Sequence, residues 1–301
     1  MLTANTGAAA LELNDSLVFE PDAVVEAAIS LVSDMTEGLR RPERQCDMPP
    51  RIAEDLAAFE VDSPLLVIDT DVVASNYMAM SRSLPVGRIF YAVKANPEHA
   101  VIAKLAALGS CFDTASRNEI DLCLAHAVTP DRISYGNTIK KQRDIEYAYA
   151  RGVRLFAFDS DAEPEKLAES APGAMVYCRV LMECDGAEWP LSRKFGCEPE
   201  MALRLLVRAR ELGLDPYGVS FHVGSQQTDL SQWDVALSRV AELFEDAEEL
   251  GVTLRMVNLG GGMPARYRSD VRPMEEYAGA IVNAISTNFK NGFPELIFEP
   301  G

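Results

Sequence analysis

The chain has 301 residues, the length of two average domains or of one large barrel. It carries 28 Lys and Arg against 46 Asp and Glu, a formal net charge of −18, which argues against general nucleic-acid binding because phosphate backbones would be repelled. Hydrophobic residues make up 48%, and no apolar run approaches the roughly 18 residues of a membrane helix, so we expect a globular chain without a membrane-spanning segment.

The beginning of the chain resembles no targeting signal. Its first 39 residues contain seven acids and no Lys or Arg, whereas secretory and transit peptides begin with positive charge. The six cysteines are scattered with no Cys-x-x-Cys pair, so we expect reduced thiols, no disulfide framework and no metal site. These features predict a cytoplasmic location.

Residues 1–62 form an acidic N-terminal extension, predicted to be helical at 22–39 and 52–59. The short apolar run at 65–69 predicts a strand. A second domain is predicted to extend from residue 63 to residue 301.

From residue 88 onward, short apolar or β-branched runs alternate with stretches of helical period. The predicted strands are 88–93, 110–114, 132–135, 153–158, 174–180, 217–223, 255–259 and 295–298. The predicted helices between them are 97–108, 118–127, 140–150, 165–170, 198–212 and 230–250. This alternation favours parallel strands, and eight of them predict an α/β fold, a (β/α)8 TIM-like barrel, with an open doubly wound sheet as the alternative.

The end of the chain leaves this barrel short of one helix. The eighth predicted strand ends at Phe298, and the sequence stops three residues later, at Gly301. No residues remain for an eighth barrel helix, so we expect a barrel that lacks it.

Residues with chemical function follow the predicted strands, where a barrel places its active site. In chain order they are Lys94, Asp113, Asn137, Arg179, His222, Ser225, Gly260–Gly262 and Glu299. Each has an ordinary structural interpretation by itself: a strand-end lysine, a core histidine, a flexible turn, or acidic helix caps. Their convergence on one rim favours a shared functional site.

A lysine, three consecutive glycines and an acid on one rim predict a pyridoxal phosphate site. Lys94 ends a buried strand, and we expect burial to lower the pKa of its amine, as Schiff-base chemistry requires. The glycines let backbone N–H groups approach a phosphate. An acid such as Glu299 would keep the pyridine nitrogen protonated, which makes the cofactor an electron sink.

Five ordered motifs resemble the ornithine/diaminopimelate/arginine decarboxylase family of fold-type III pyridoxal-phosphate enzymes. They are Tyr-Ala-Val-Lys-Ala-Asn at 91–96, Phe-Asp-Thr-Ala-Ser at 112–116, Phe-His-Val-Gly-Ser at 221–225, Asn-Leu-Gly-Gly-Gly-Met-Pro at 258–264 and Phe-Glu-Pro-Gly at 298–301. Together with the segment 187–196, they look most like the ornithine/lysine decarboxylase branch. The resemblance runs from about residue 63 to residue 301 and implies a barrel of the alanine racemase type.

The resemblance implies a role for each matching residue. Lys94 would bond to the cofactor's aldehyde, Glu299 would pair with the pyridine nitrogen, and His222 would stack on the ring; these three are the predicted catalytic residues. Asp113 and Arg179 would support the ring substituents. The full predicted cofactor-binding set is Lys94, Asp113, Arg179, His222, Ser225, Gly260, Gly261, Gly262, Glu299 and Gly301, with Ser225 and Gly260–Gly262 at the phosphate. Lys194 lies in a loop that borders the site in the family.

Parts of the family pattern are missing from this sequence. The Glu-Pro-Gly motif stops one residue before a phosphate-binding arginine of the family. The C-terminal β-domain, which in the family supplies a substrate-binding acid, a proton-donating cysteine and a tyrosine, is expected to be absent. The segment Leu65–Ile68 resembles the strand that pairs with that domain, so its edge is expected to be open. We expect the 301 residues by themselves to decarboxylate poorly.

The predicted function is pyridoxal-phosphate-dependent decarboxylation of a basic amino acid, L-ornithine to putrescine and CO2, for polyamine synthesis, by a protein that is a homodimer at full length. Lysine is the nearest alternative substrate, since one methylene is worth only about 1–3 kcal/mol of discrimination; diaminopimelate and carboxynorspermidine are others. A catalytically silent regulatory homologue is an alternative of another class, and a racemase-type barrel is a third. The retained Lys94, His222 and Glu299 count against the silent homologue, and the Glu-Pro-Gly motif counts against the racemase.

Overall fold

The computed structural model describes residues 50–57, 64–189, 194–266, 270–290 and 292–301. The chain divides into two units, Met1–Leu66 and Val67–Gly301. In the first unit, helix α1 spans Pro50–Ala57 and overlaps the helix predicted at 52–59, whereas the helix predicted at 22–39 lies outside the described residues. The domain boundary at residues 62 and 63 stays a prediction.

The second unit contains a closed barrel of eight parallel strands. The strands of the described chain are β1 Gly87–Ala92, β2 Cys111–Thr114, β3 Ile133–Tyr135, β4 Leu155–Phe158, β5 Met175–Arg179, β6 Ala187–Trp189, β7 Asp215–Ser220, β8 Ser225–Gln227, β9 Met256–Asn258 and β10 Glu295–Phe298. Around the barrel the order is β1, β10, β9, β7, β5, β4, β3 and β2, while β6 and β8 form a separate antiparallel pair. Pairing of β1 with β10, with Gly87 opposite Leu296, closes the sheet. The predicted barrel and its eight strands are confirmed, and the open sheet is excluded.

Helices of the second unit precede β1 and connect the strands. They are α2 Thr70–Ser83, α3 His99–Ala107, α4 Arg117–Ala125, α5 Gln142–Ala150, α6 Ala162–Ser170, α7 Pro199–Glu211, α8 Ser231–Glu249 and α9 Met274–Asn288. The sequence pattern did not predict α2 or α9; α2 buries only Ala74 and Met80 and so lacks a clear apolar stripe. Within the described ranges, none of these helices combines the length and apolar character needed to cross a membrane.

The strand predicted at 65–69 is wrong, because residues 64–69 have no regular secondary structure. Leu66 is 84% exposed, and no strand in the described part of the chain pairs with this segment. An extended apolar run becomes a strand only when its backbone N–H and C=O groups find a partner strand. The segment leads instead into α2, where the carboxylate of Asp69 accepts hydrogen bonds from the N–H groups of Asp71 and Val72.

Large side chains fill the interior of the barrel. Phe90, Tyr177, Met256 and Ile297 belong to one buried cluster contributed by four different strands. Gly218 in β7 is needed for this packing, since a Cβ at that position would overlap the backbone oxygen of Met256 in β9. The interior of a TIM-type barrel is a packed core and leaves no room for a ligand. In this fold the ligand sites lie at the carboxyl ends of the strands.

Candidate active site

A cavity of about 560 Å³ opens at the carboxyl ends of the barrel strands. Its walls include most of the residues that the sequence singles out: Lys94, Asn137, Arg179, Lys194, His222, Ser225, Gly261, Gly262, Glu299 and Gly301. Asp113 and Gly260 lie directly behind this wall, through their contacts with Lys94 and His222 respectively. The structure therefore brings together residues that are separated by up to 207 positions in the sequence.

Lys94 lies in a single 3-10 turn, Val93–Ala95, directly after β1. Its Nζ donates to Oδ2 of Asp113 at 3.1 Å; the lysine side chain is 61% exposed, whereas that of the aspartate is 3% exposed. The negative charge of Asp113 raises the pKa of Lys94 and outweighs the lowering effect of burial. The expected lowering of this pKa is therefore wrong for the ligand-free protein, because the neighbouring strand supplies a counter-ion.

Asp113 is built into β2 and does not cap a helix. Its Oδ1 accepts a hydrogen bond from Ser134 Oγ at 3.1 Å, so each carboxylate oxygen has its own partner. Gly136, just after β3, is so close that a Cβ there would overlap Oδ1 of Asp113. The following helix is capped instead by Ser116, whose Oγ accepts from the N–H of Glu119.

Glu299 follows β10 and is fixed from β9 and the glycine segment. Its N–H donates to Gly260 O at 2.8 Å, and its Oε1 accepts from Asn258 Nδ2 at 2.5 Å. Loss of hydration, followed by repulsion from Asp113, raises the pKa of Glu299 to about 8. The carboxyl group is therefore largely protonated at neutral pH in the ligand-free protein.

His222 follows β7 as a neutral ring. Its Nδ1 accepts a hydrogen bond from the N–H of Gly224 at 2.9 Å, which leaves the ring proton on Nε2. Burial, then the positive charges of Arg179 and Lys94, lower the pKa of His222 to about 4. An uncharged, flat imidazole therefore borders the cavity across the neutral pH range.

The segment Gly260–Gly262 has no room for side chains. A Cβ at Gly260, Gly261 or Gly262 would lie 2.5, 2.7 or 2.6 Å from the backbone oxygens of Phe221, Glu299 and Gly224, respectively. Gly260 and Gly262 also have φ angles of +66° and +103°. The segment is thus a rigid, closely packed glycine wall and not a flexible turn.

Positively charged side chains also line the cavity. Arg179, at the end of β5, and Lys194 place their cationic groups 5.3 Å and 5.2 Å from the ring centre of Phe195. The segment that carries Lys194 and Phe195 is anchored by the N–H of Gly196, which donates to Oδ2 of Asp159 at 2.9 Å. With Lys94, these residues make the cavity suitable for an anionic ligand.

Sequence reasoning missed the roles of Gly136, Thr138 and Asn258. Gly136 and Thr138 line the cavity, and Asn258 joins Glu299 to the glycine segment by accepting from Gly260 N at 2.9 Å. Asn258 belongs to a recognised motif, and its position as a polar residue at a strand end was a usable signal. For Gly136 and Thr138 the sequence carried no signal beyond their place after the third strand.

The residues present fit a phosphate-bearing aldehyde cofactor. The glycine wall presents backbone without side chains to the cavity, because any Cβ there would collide with neighbouring backbone oxygens, and the same cavity holds a carboxyl with a raised pKa and a strand-end lysine. Thr138 Oγ1, beside the cavity, is buried and finds no hydrogen-bond partner among the residues described. A parallel barrel with this site belongs to the class of pyridoxal-phosphate-binding barrels.

Comparison with known proteins gives the family. The model of the pyridoxal-dependent decarboxylase family, pyridoxal binding domain, matches residues 70–301, and the chain belongs to this family. A lysine/ornithine decarboxylase of Selenomonas ruminantium is 37% identical over 246 residues, which are 81% of this chain and 62% of the relative. Antizyme inhibitor 2 of Xenopus laevis is 36% identical over 256 residues, which are 85% of this chain and 56% of the relative.

A solved structure shares the fold. The crystal structure of SrLDC in complex with PLP and cadaverine superposes with a TM-score of 0.76 at 34% identity, over 84% of this chain and 64% of the other. The chain thus spans roughly three fifths of the length of the proteins it matches. Pyridoxal 5'-phosphate is the cofactor of this domain.

Proposed function

We propose that this chain is the cofactor-binding part of an enzyme that removes the α-carboxylate of a basic amino acid as CO2, with L-ornithine as substrate and putrescine as product. One observation carries the proposal: Lys94 with its Asp113 counter-ion, the protonated Glu299 and the glycine wall converge on one cavity. Pyridoxal phosphate, when bound, supplies an electron sink for the electron pair that remains when CO2 leaves.

The proposed roles follow from the chemistry of each side chain. Lys94 would hold the cofactor's aldehyde, and Asp113 would keep that lysine in place through the 3.1 Å ion pair. The glycine wall and Ser225 would hold the phosphate with neutral donors. His222 would support the ring as an uncharged imidazole.

Glu299 is proposed to control the proton on the pyridine nitrogen. Because its pKa is raised to about 8, it holds a proton that a more basic neighbour can take, and it then remains as the carboxylate partner of that cation. Asn258 keeps the carboxyl oriented through its 2.5 Å hydrogen bond.

Arg179 and Lys194 line the cavity and are the described Lys and Arg residues there besides Lys94. Arg179 would support the ring substituents of the cofactor, and Lys194 would face the carboxylate of the substrate. The motifs at 112–116 and 187–196 resemble the ornithine/lysine branch as a whole, and we propose ornithine over lysine because two further relatives at 36% identity, from Caenorhabditis elegans and Rattus norvegicus, are named ornithine decarboxylase. Ornithine and lysine differ by one methylene, worth about 1–3 kcal/mol, so relative rates decide between them.

Two measurements test the proposal. First, the 301-residue chain titrated with pyridoxal phosphate should develop a visible absorbance band that Lys94→Ala abolishes; the same band in both proteins would reject the cofactor assignment. Second, the protein expressed from its complete gene should release CO2 from carboxyl-labelled ornithine faster than from lysine. Faster release from lysine would identify lysine as the preferred substrate and leave the proposed reaction, loss of the α-carboxylate as CO2, unchanged.

A silent regulatory protein is the second candidate, because Antizyme inhibitor 2 is as similar to this chain as the decarboxylase relative. It predicts that the protein from the complete gene releases no CO2 from either amino acid. The presence of Lys94, His222 and Glu299 in one cavity favours the enzyme.

We also propose that the whole protein is a homodimer located in the cytoplasm. Sedimentation equilibrium of the protein from the complete gene should give twice the monomer mass, and a monomer at micromolar concentration would contradict the dimer. Cell fractionation tests the location.

A further inference from the structure

Lys140 is a fully buried lysine to which the proposed reaction assigns no role. Its side chain is 0% exposed, and its Nζ lies 3.0 Å from Oε2 of Glu163, which is itself 2% exposed. A lysine so completely removed from water is rare unless all of its charge and protons are satisfied. The partners of Lys140 therefore indicate what it does.

Three backbone carbonyls receive the Lys140 ammonium. Nζ donates to Asn137 O at 3.0 Å, to Thr138 O at 3.3 Å and to Ala157 O at 2.5 Å. The first two carbonyls belong to the loop after β3, and the third belongs to β4. With Glu163 as the fourth contact, the ammonium has no proton left for a ligand.

The loop held by Lys140 is part of the cavity wall. Gly136, Asn137 and Thr138 all line the cavity. Gly136 is packed directly on Oδ1 of Asp113, and its N–H donates to Thr114 O at 2.9 Å. The other oxygen of Asp113 bonds to Lys94, so this loop covers the aspartate of the ion pair, which is 3% exposed, while the lysine side chain stays open to the cavity.

We propose that Lys140 is a positioning residue that ties the loop Gly136–Thr138 to the end of β4 and thereby keeps Asp113 dehydrated and paired with Lys94. The inference deepens the proposed function, since it takes Lys94 as the residue that holds the cofactor. Lys140 acts only through the loop, because neither its burial nor its saturated hydrogen bonds allow contact with a ligand.

Glu163 has a separate part in this arrangement. It also pairs with Lys166, whose side chain is 30% exposed, and Lys166 donates to Lys140 O at 2.6 Å. Burial lowers the pKa of Lys140 to about 8, with Glu163 opposing this shift, so the ammonium is largely charged at neutral pH. Removing Lys166 leaves the three carbonyl contacts of Lys140 intact, which provides a matched control.

The test is the reactivity of the Lys94 amine at pH 7, where Lys140 is largely charged, followed by competitive labelling with acetic anhydride and mass spectrometry of the Lys94 peptide. In Lys140→Met, water reaches Asp113 and screens its charge, so the neutral fraction of the Lys94 amine and its labelling rate should rise at least about threefold. Lys166→Met should leave the rate within about 1.5-fold of the wild-type value, since it keeps the carbonyl contacts of Lys140. An unchanged Lys94 labelling rate in folded Lys140→Met overturns the proposal.

A double variant covers the case in which Lys140→Met does not fold. Lys140→Met with Glu163→Leu replaces the buried pair by apolar side chains, an exchange that buried ion pairs often tolerate. The double variant should show the same rise in the Lys94 labelling rate at pH 7 and bind pyridoxal phosphate at least about tenfold more weakly, and wild-type values of both would overturn the proposal. A wild-type chain without a Lys94-dependent visible band would reject the proposed function and leave the comparison of Lys94 labelling rates valid.

Discussion

Asn258 joins Glu299 to the glycine wall through a single side-chain amide. Its Nδ2 donates to Glu299 Oε1 at 2.5 Å, and its Oδ1 accepts from the N–H of Gly260 at 2.9 Å. The amide thus fixes both the carboxyl proposed to face the pyridine nitrogen and the segment proposed to face the phosphate. One residue from β9 would thus position the groups proposed to contact both ends of the cofactor.

Replacing Asn258 by Ala should weaken cofactor binding and raise the pKa of Glu299 further. In the wild type, the hydrogen bond from Asn258 stabilises the charged form of the Glu299 carboxyl. Removing this bond therefore favours the protonated form. We expect at least about a tenfold increase in the Kd for pyridoxal phosphate, measured by absorbance titration, from the loss of two buried hydrogen bonds. Asn283→Ala, on the exposed face of α9, is the control and should bind normally.

Glu299→Gln should change how the stability of the ligand-free chain depends on pH. The folded carboxyl titrates near pH 8, whereas an ordinary glutamate titrates near pH 4.5, so the folded state holds an extra proton between these values. Stability therefore falls as the pH rises through this window, and it falls less in the variant. We therefore compare the difference in Tm between Glu299→Gln and the wild type at two pH values. This difference should be at least about 2 °C larger, in favour of the variant, at pH 8.5 than at pH 5. A difference that stays constant with pH would contradict the raised pKa.

Gly261→Ala should impair the proposed phosphate site through its added methyl group. The new Cβ would lie 2.7 Å from Glu299 O, so either the glycine wall or the Glu299 backbone must move. Affinity for pyridoxal phosphate should fall by at least about tenfold, because the wall must approach a phosphate closely.

Gly279→Ala is the matched control for this substitution. Gly279 lies within α9, and a Cβ there meets nothing within 4 Å. This variant should bind the cofactor normally and be more stable by up to about 1 kcal/mol, because alanine favours helix. Equal affinities of the two alanine variants would show that the glycine wall does not hold the cofactor.

His222 should remain neutral, with its proton on Nε2, from pH 5 to pH 8 in the ligand-free chain. The lowered pKa, about 4, and the hydrogen bond from Gly224 N to Nδ1 require this tautomer. Because the unfolded ring takes up a proton near its ordinary value of 6.5 and the folded ring does not, His222 makes the protein less stable as the pH falls below that value.

Nitrogen-15 NMR of labelled histidine measures this tautomer directly. The His222 signals, assigned by their loss in His222→Phe, should show an unprotonated Nδ1 and a protonated Nε2 throughout the range. Movement of both nitrogens with a midpoint near pH 6.5 would contradict the assignment.

The fold was largely predictable because its signals are local. Apolar runs alternating with helical stretches marked all eight barrel strands, and only the barrel's closure between β1 and β10 had to come from the structure. The wrongly predicted strand and helix α2, which was not predicted, also have local causes. The apolar run at 65–69 had the composition of a strand but no partner, and α2 had too few buried residues to show a helical stripe.

The candidate site was predictable as a set of residues but not as a set of contacts. Chemical type and strand-end position singled out Lys94, Asp113, Glu299 and the glycine wall. The predicted direction of the Lys94 pKa shift was wrong. The shift depends on Asp113, which is 19 residues away in the chain and 3.1 Å away in space. The strand-end position of Asn258 was a usable signal for the residue, but its contact with Glu299, 41 residues away in the chain, came only from the structure.

The sequence by itself determined the alternation of strands and helices, the eight barrel strands and the chemical groups that follow them, because periodicity and composition act along the chain. Only the tertiary structure decided which carboxyl is protonated, which lysine is exposed and which, like Lys140, is fully buried. The reason is physical: charge, hydration and hydrogen bonding act through space over a few ångströms, and closure of the barrel sets those distances.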